Sequence, residues 1–174
     1  MKGVSLQTQN PAVSEQGIGP TAVTSERPIL VAVDLSQESE AALVWACDYA
    51  RKVDAPLEIL HVVHDPADAP GTYKPNNSDR LEPMADVARR KLTEFLNHIR
   101  LKNPDLRGLE TARSLCVPGL PGSTILQVAK AHGARHLVLG SRRREGLARL
   151  FHSSVAGQIA GTASLPVTFV RAST

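Results

Sequence analysis

Aromatic side chains are scarce in this chain. They make up 3% of its 174 residues, with one tryptophan, two tyrosines and three phenylalanines, so any core must be aliphatic. Cysteine is scarcer still. Cys47 and Cys116 lie far apart and fit no ligand spacing, which excludes a disulfide scaffold or a zinc module and leaves two buried, reduced thiols in a cytoplasmic protein as the expectation. No apolar run approaches the ~18 residues of a membrane span. The N-terminus lacks the compact apolar segment of a secretory signal, which again argues for the cytoplasm. Catalytic punctuation is missing too. No Gly-Lys-Ser/Thr follows a glycine-rich strand end, so there is no Walker loop, and no Gly-x-Ser-x-Gly elbow marks a serine hydrolase. His61 and His64 sit three apart on a strand end and face opposite ways, which argues against a shared metal. A polar wall of a site, or a satisfied core histidine, is the better reading of His61. The net charge of +3 permits acidic ligands without implying nucleic acid.

What is present is alternation. Residues 1–27 are rich in Gln, Ser, Thr, Gly and Pro without periodicity and read as a disordered tail. Pro28 to Val33 is a continuous apolar strand ending in Asp34. Ser36 is placed to cap a helix that runs to about Val53, with Ala42, Trp45 or Ala46, Tyr49 and Val53 on one face. Leu57 to Val63 is a second strand, followed by a long Pro- and Asn-rich loop over 64–80 at its carboxyl end, either a lid or an ordinary surface loop. Leu81, Met84, Ala88, Leu92, Phe95 and Ile99 mark a second helix, whose outer face carries Arg89, Arg90, Lys91, Arg100 and Lys102. Thr111 to Val117 is a more exposed third strand. Ser123 is placed to cap a third helix closed by Gly133, His136 to Leu139 is a fourth strand, Val155 to Ala163 a last helix, and Val167 to Val170 a fifth strand. Five strands alternating with four helices predict one doubly wound parallel sheet covered on both faces.

The stretch that organises the rest runs from Gly140 to Ser154, between the fourth strand and the last helix. A glycine-led loop that leaves a strand for a helix start is where such folds hold ligands, because unpaired N–H groups and the helix dipole favour an anion.

Asp34 at the end of the first strand, Leu60-His61-Val62-Val63 in the second and Gly140-Ser141-Arg142 after the fourth occur in an order that resembles the universal stress protein family. Leu120-Pro121-Gly122-Ser123-Thr124-Ile125 and Leu165-Pro166-Val167 resemble its pattern as well. The resemblance covers about residues 28–171, so residues 28–174 form the expected domain. It implies a homodimer joined through the last strand, here Val167 and Phe169, whose apolar edge is exposed. It also implies two branches, one of which binds ATP or AMP through Gly, two residues, Gly, nine residues, Gly, then Ser or Thr. On this chain those positions are Gly140, Arg143, Ser153 and Ser154, so only the first glycine and the final hydroxyl are kept. The resemblance further implies Asp34 near a ribose and the backbone of Val62 near an adenine.

The departure has a physical meaning. Glycine lets main-chain N–H groups approach phosphate oxygens without a Cβ and permits φ > 0. Arg143 and Ser153 add side chains at two such points, and Gly146 stands three residues too late to compensate. Against this, Arg142, Arg143, Arg144 and Arg149 offer guanidinium groups that can grip phosphate bidentately. Two readings follow. One is a non-enzymatic, dimeric stress-response module with weakened or lost ATP binding, acting on protein partners. The other is an adenine-nucleotide sensor or slow ATPase in which Arg142 and Arg143 replace the glycines beside Ser153 and Ser154. The arginine run lacks interleaved aromatics for base stacking, which argues against nucleic acid. Asp34 also has a plainer reading, as a cap for the next helix.

Overall fold

β-branched and leucine side chains in the run Ile29–Ala32 form β1, which is buried along its whole length as an interior parallel strand must be. The computed structural model describes residues 27–63, 72–73, 82–141 and 154–172. In chain order β1 is followed by α1 (Gln37–Lys52), β2 (Leu57–Val63), β3 (Thr72–Tyr73), β4 (Glu82–Pro83), α2 (Met84–Lys102), β5 (Arg113–Pro118), α3 (Pro121–Ala131), β6 (His136–Gly140), α4 (Val155–Thr162) and β7 (Val167–Val170). Five of the strands build one sheet in the order β5-β2-β1-β6-β7, and all its pairings are parallel. The chain winds from β1 outward through β2 to β5, then crosses back to β6 and β7. The reversal falls between β1 and β6.

Side-chain alternation divides the core into two layers. Ile29, Val31 and Val33 join Val138 under α1 and α2, together with Leu43, Leu92, Leu96 and Ile99. Leu30 and Ala32 join Leu60, Leu137 and Leu139 under α3 and α4, together with Ile125, Ala129 and Ile159. The period of two along each strand thus places helices on both faces, as the alternation of elements predicts.

Local chemistry explains most element boundaries. Ser36 caps α1 by accepting from the Ser39 amide at 3.3 Å. Glu38 and Glu40 in the first turn, with Arg51 and Lys52 in the last, complement the helix dipole. Its buried stripe is Ala42, Leu43, Ala46, Cys47 and Ala50. Of the residues expected on that face Ala42 is buried and Ala46 takes the place left open between it and Trp45, while Trp45, Tyr49 and Val53 pack at the margin only partly buried. Small side chains let the helix backbone sit close to the sheet. Burial pushes the Cys47 thiol up to about 12, so it behaves as a core hydrophobe. Cys116, expected buried, is half-exposed on edge strand β5.

Other expectations shift. Within the region read as a loop over 64–80, Thr72–Tyr73 pairs antiparallel with Glu82–Pro83, and α2 begins at Met84 rather than Leu81, which lies outside the described residues. Its buried positions are Val87, Ala88, Leu92, Leu96 and Ile99, with Phe95 packed at the edge of the core. The basic residues are on the outer face, as expected, and Lys102 reaches Glu40 at 2.7 Å. Ser123 does not cap α3. The helix starts at Pro121, whose fixed φ and missing N–H suit the first turn, and the Ser123 hydroxyl donates to the Leu120 carbonyl at 3.1 Å. Gly133 follows the end of α3 at φ +62°, the left-handed closure expected there. Among the described residues no helix is long and apolar enough to cross a membrane.

Two polar clusters tie helices to the sheet. Glu58 on β2 is buried, with His132 Nδ1 at 2.6 Å and an Arg113 guanidinium nitrogen at 3.5 Å. At the start of β6, His136 Nε2 lies 2.8 Å from the Thr168 hydroxyl of β7, and its ring centroid is 5.0 Å from that of Tyr49, itself stacked on Trp45 at 4.9 Å.

Candidate functional site

Where the chain order reverses, the carboxyl ends of β1, β2 and β6 leave a cavity of about 340 Å³. This is the position at which open α/β sheets place ligands. Ala32, Leu60 and Leu139 form an apolar floor, Pro121 and Ile125 of α3 one wall, and Val155 and Ala156 of α4 another. Asp34, Ser39 and His61 supply the polar side chains. A second hollow of about 390 Å³, lined by Arg51, Asp54 and Arg107, sits beneath the carboxyl end of α1 at the opposite edge of the sheet, away from the crossover. Volume alone favours the second; topology and convergence of elements favour the first.

The turn from β1 into α1 gives one rim of the cavity its shape. Asp34 is exposed, and its Oδ1 accepts from the Ser36 amide at 3.1 Å and from the Ser36 hydroxyl. It therefore braces the turn, while the capping role read for it belongs to Ser36. Between them Leu35 has φ +63°, a left-handed conformation that costs an L-residue roughly 1–2 kcal/mol. Its side chain packs against the core on the α1 side, which helps hold that backbone in place. Ser39 is buried and donates its hydroxyl proton to the Ser36 carbonyl at 2.9 Å. His61 Nδ1 lies 2.9 Å from the Val33 carbonyl oxygen.

The β6 and α4 side of the cavity is built differently. Gly140 closes β6 against the first turn of α1. A Cβ there would stand 2.6 Å from the Glu38 carbonyl carbon, and 2.7 Å from both its oxygen and the Ser39 nitrogen. Glycine at 140 is thus required by packing inside the fold. Ser154 caps α4 by accepting from the Gly157 amide at 3.0 Å. The two signature positions that survive in the sequence, Gly140 and Ser154, each serve the fold itself.

Asp34, Val62 and Gly140 are brought around one cavity, and Ser154 stands at the head of the helix that walls it. Arg142, Arg143, Arg144, Arg149 and Ser153 lie outside the described residues. The walls from Pro121, Ile125, Leu139, Val155 and Ala156, and the buried Ser39, were not anticipated. The only local hint was a proline at a helix start just after a strand. Among the described residues no three His, Cys, Asp or Glu side chains are grouped to hold a metal ion. Burial raises the Cys116 thiol against an opposing pull from Arg89, so it has no activated-thiolate character.

A doubly wound parallel sheet with a crevice at its switch point defines a Rossmann-like α/β domain. The particular family follows from the sequence. Residues 26–171 match the model of the universal stress protein family, and the chain belongs to that family. A universal stress protein of Mycolicibacterium smegmatis is 30% identical over 164 residues, covering 92% of this chain and 51% of the relative, so the chain spans about half of that relative's length. The fold is also similar to a universal stress protein solved in complex with cAMP (TM-score 0.61, 20% identity, 85% of this chain and 98% of that one). A universal stress protein from Archaeoglobus fulgidus in complex with dAMP gives a TM-score of 0.56 at 22% identity, over 83% of this chain and 97% of that one.

Proposed function

We propose that this chain is a non-enzymatic, dimeric stress-response module of the cytoplasm, whose crevice takes the nucleoside end of an adenine nucleotide and whose grip on ATP is weakened. The observation that carries this reading is the structural use of Gly140 and Ser154. Packing against α1 accounts for the first and capping of α4 for the second, so neither is left as a sign of phosphate binding. The remaining signature positions are Arg143 and Ser153, which carry side chains where bare backbone would meet a triphosphate. The nucleoside end is better furnished. About 340 Å³ lies near the lower end of the ~300–1,000 Å³ typical of small-molecule sites. Asp34 stands at its rim to meet ribose hydroxyls and the Val62 backbone at its side to meet a base. Two structural relatives were solved in complex with cAMP and with dAMP, which supports an adenine nucleotide as the class of ligand.

Calorimetric titration with adenosine, AMP and ATP tests the reading. Adenosine and AMP are expected to bind within about threefold of each other, with ATP no tighter than AMP. Stoichiometric ATP binding about tenfold tighter than AMP would overturn it.

The arginine run favours a second reading, a nucleotide sensor or slow ATPase in which Arg142 and Arg143 hold the phosphates. An Arg143→Ala variant then loses about tenfold in ATP affinity with adenosine binding unchanged. Undiminished ATP affinity rejects that role.

Dimerisation is part of the first reading. Among the described residues β7 pairs on one side only, with β6, and Phe169 on it is 37% exposed. Sedimentation at micromolar concentration is expected to show a dimer that Phe169→Lys weakens, and a monomeric wild-type chain would end the idea.

A further inference from the structure

The end of β1 poses a problem that His61 solves. The parallel ladder on β1 runs from Ile29 to Ala32 against both neighbours, and Val33 lies one residue beyond it. Val33 is 4% exposed, and its amide still donates to the Leu60 carbonyl at 2.9 Å. Its carbonyl oxygen would face the interior without a ladder donor, and a buried carbonyl needs one. His61 on β2 supplies it across 2.9 Å. A carbonyl only accepts, so the proton must sit on Nδ1, leaving Nε2 as the acceptor of the neutral ring.

The next three residues make this bond matter for the site. Asp34 lines the cavity, and the left-handed Leu35 and Ser36 carry its turn on into α1; such a turn persists only where its surroundings over-determine it. Downstream it is held by Asp34 Oδ1 on Ser36 and by packing of Leu35. Upstream the side-chain tie to its last strand-like residue is the His61 bond. We infer that His61 is a positioning residue: through Nδ1–H it anchors the Val33 carbonyl and so sets how the Asp34-Leu35-Ser36 turn presents Asp34 to a ligand in the crevice. This rests on the nucleoside reading of the cavity for its ligand, but the anchoring itself does not.

Two amides separate this role from mere bulk. The nitrogen of an Asn side chain lies as many bonds from Cβ as His Nδ1 does, whereas that of Gln corresponds to Nε2. His61→Asn therefore keeps the donor to Val33 and His61→Gln misplaces it. Without ligand, amide hydrogen exchange at Ser36 is expected to stay near wild type in His61→Asn and to quicken about tenfold in His61→Gln. With AMP as the probe, affinity is expected to hold within about threefold in the Asn variant and to fall about tenfold in the Gln variant. On the wild-type protein, nitrogen NMR is expected to show the His61 proton on Nδ1, a readout that needs no variant to fold. A proton on Nε2, or Asn and Gln variants that behave alike in exchange, would overturn the inference. Should wild type bind neither adenosine nor AMP, the nucleoside reading fails, while the exchange comparison and the tautomer still decide the role of His61.

Discussion

Two sets of residues around the crevice are used in unlike ways. Strand termini, an apolar floor and two helix walls enclose its volume, and Asp34, Ser39 and His61 are fixed around it by hydrogen bonds. The residues that look like remnants of a phosphate grip serve internal contacts instead: Gly140 against the α1 backbone and Ser154 on the α4 cap. A residue kept in a motif is thus not evidence that the motif's chemistry is kept. Glycine can be demanded by a ligand or by a neighbouring helix, and only the atoms facing it say which.

The sharpest way to break this contrast is Gly140→Ala. A Cβ within 2.7 Å of three backbone atoms of α1 cannot be accommodated by a side-chain rotation, so stability in urea should fall by about 3 kcal/mol with no ligand present. A loss below about 1 kcal/mol would free Gly140 for a ligand role and undo the argument.

Ser154→Ala should cost about 1 kcal/mol through the lost α4 cap, leaving AMP affinity unchanged in calorimetry. A fall in affinity without a fall in stability would return Ser154 to the phosphate.

The smallest effect comes from the far end of β6 and serves as a control. Burial, and secondarily Arg135, holds the His136 imidazole below its ordinary value. The neutral ring is therefore favoured in the folded state. Its contribution is fully present above the unfolded value of about 6.5 and is lost as pH falls through the lower folded value. Unfolding followed by fluorescence of Trp45, the single tryptophan, should show stability dropping slightly from pH 7 to 5, and His136→Gln should flatten that slope. The same titration should leave adenosine affinity untouched. Stability that rises on acidification in this window would contradict the assignment.

Much of the fold was legible because it is written in short-range patterns. Apolar runs of strand length, helical spacings, Ser36 ahead of a helix and Gly133 after one are local signals, and the structure returns the same order of elements. The misses share a cause as well. Trp45 and Tyr49 match a helical stripe as well as Leu43 and Cys47 do, and only the nearness of the sheet chose the smaller residues for the deeper face. Pro121 prevailed over Ser123 because backbone geometry sets a helix start as firmly as a capping hydroxyl. The small antiparallel pair of Thr72–Tyr73 with Glu82–Pro83 carries no periodicity that two residues could display.

Taken alone, the sequence determined that the chain would wind a parallel sheet between two helix layers and that arginine and serine stand at positions 143 and 153. Tertiary structure decided which contacts Gly140 and Ser154 make, which walls close the crevice, and that a histidine on one strand meets the carbonyl at the end of another. These depend on contacts between elements far apart in the chain, where neither spacing nor hydropathy carries information and only the approach of one backbone to another fixes the outcome.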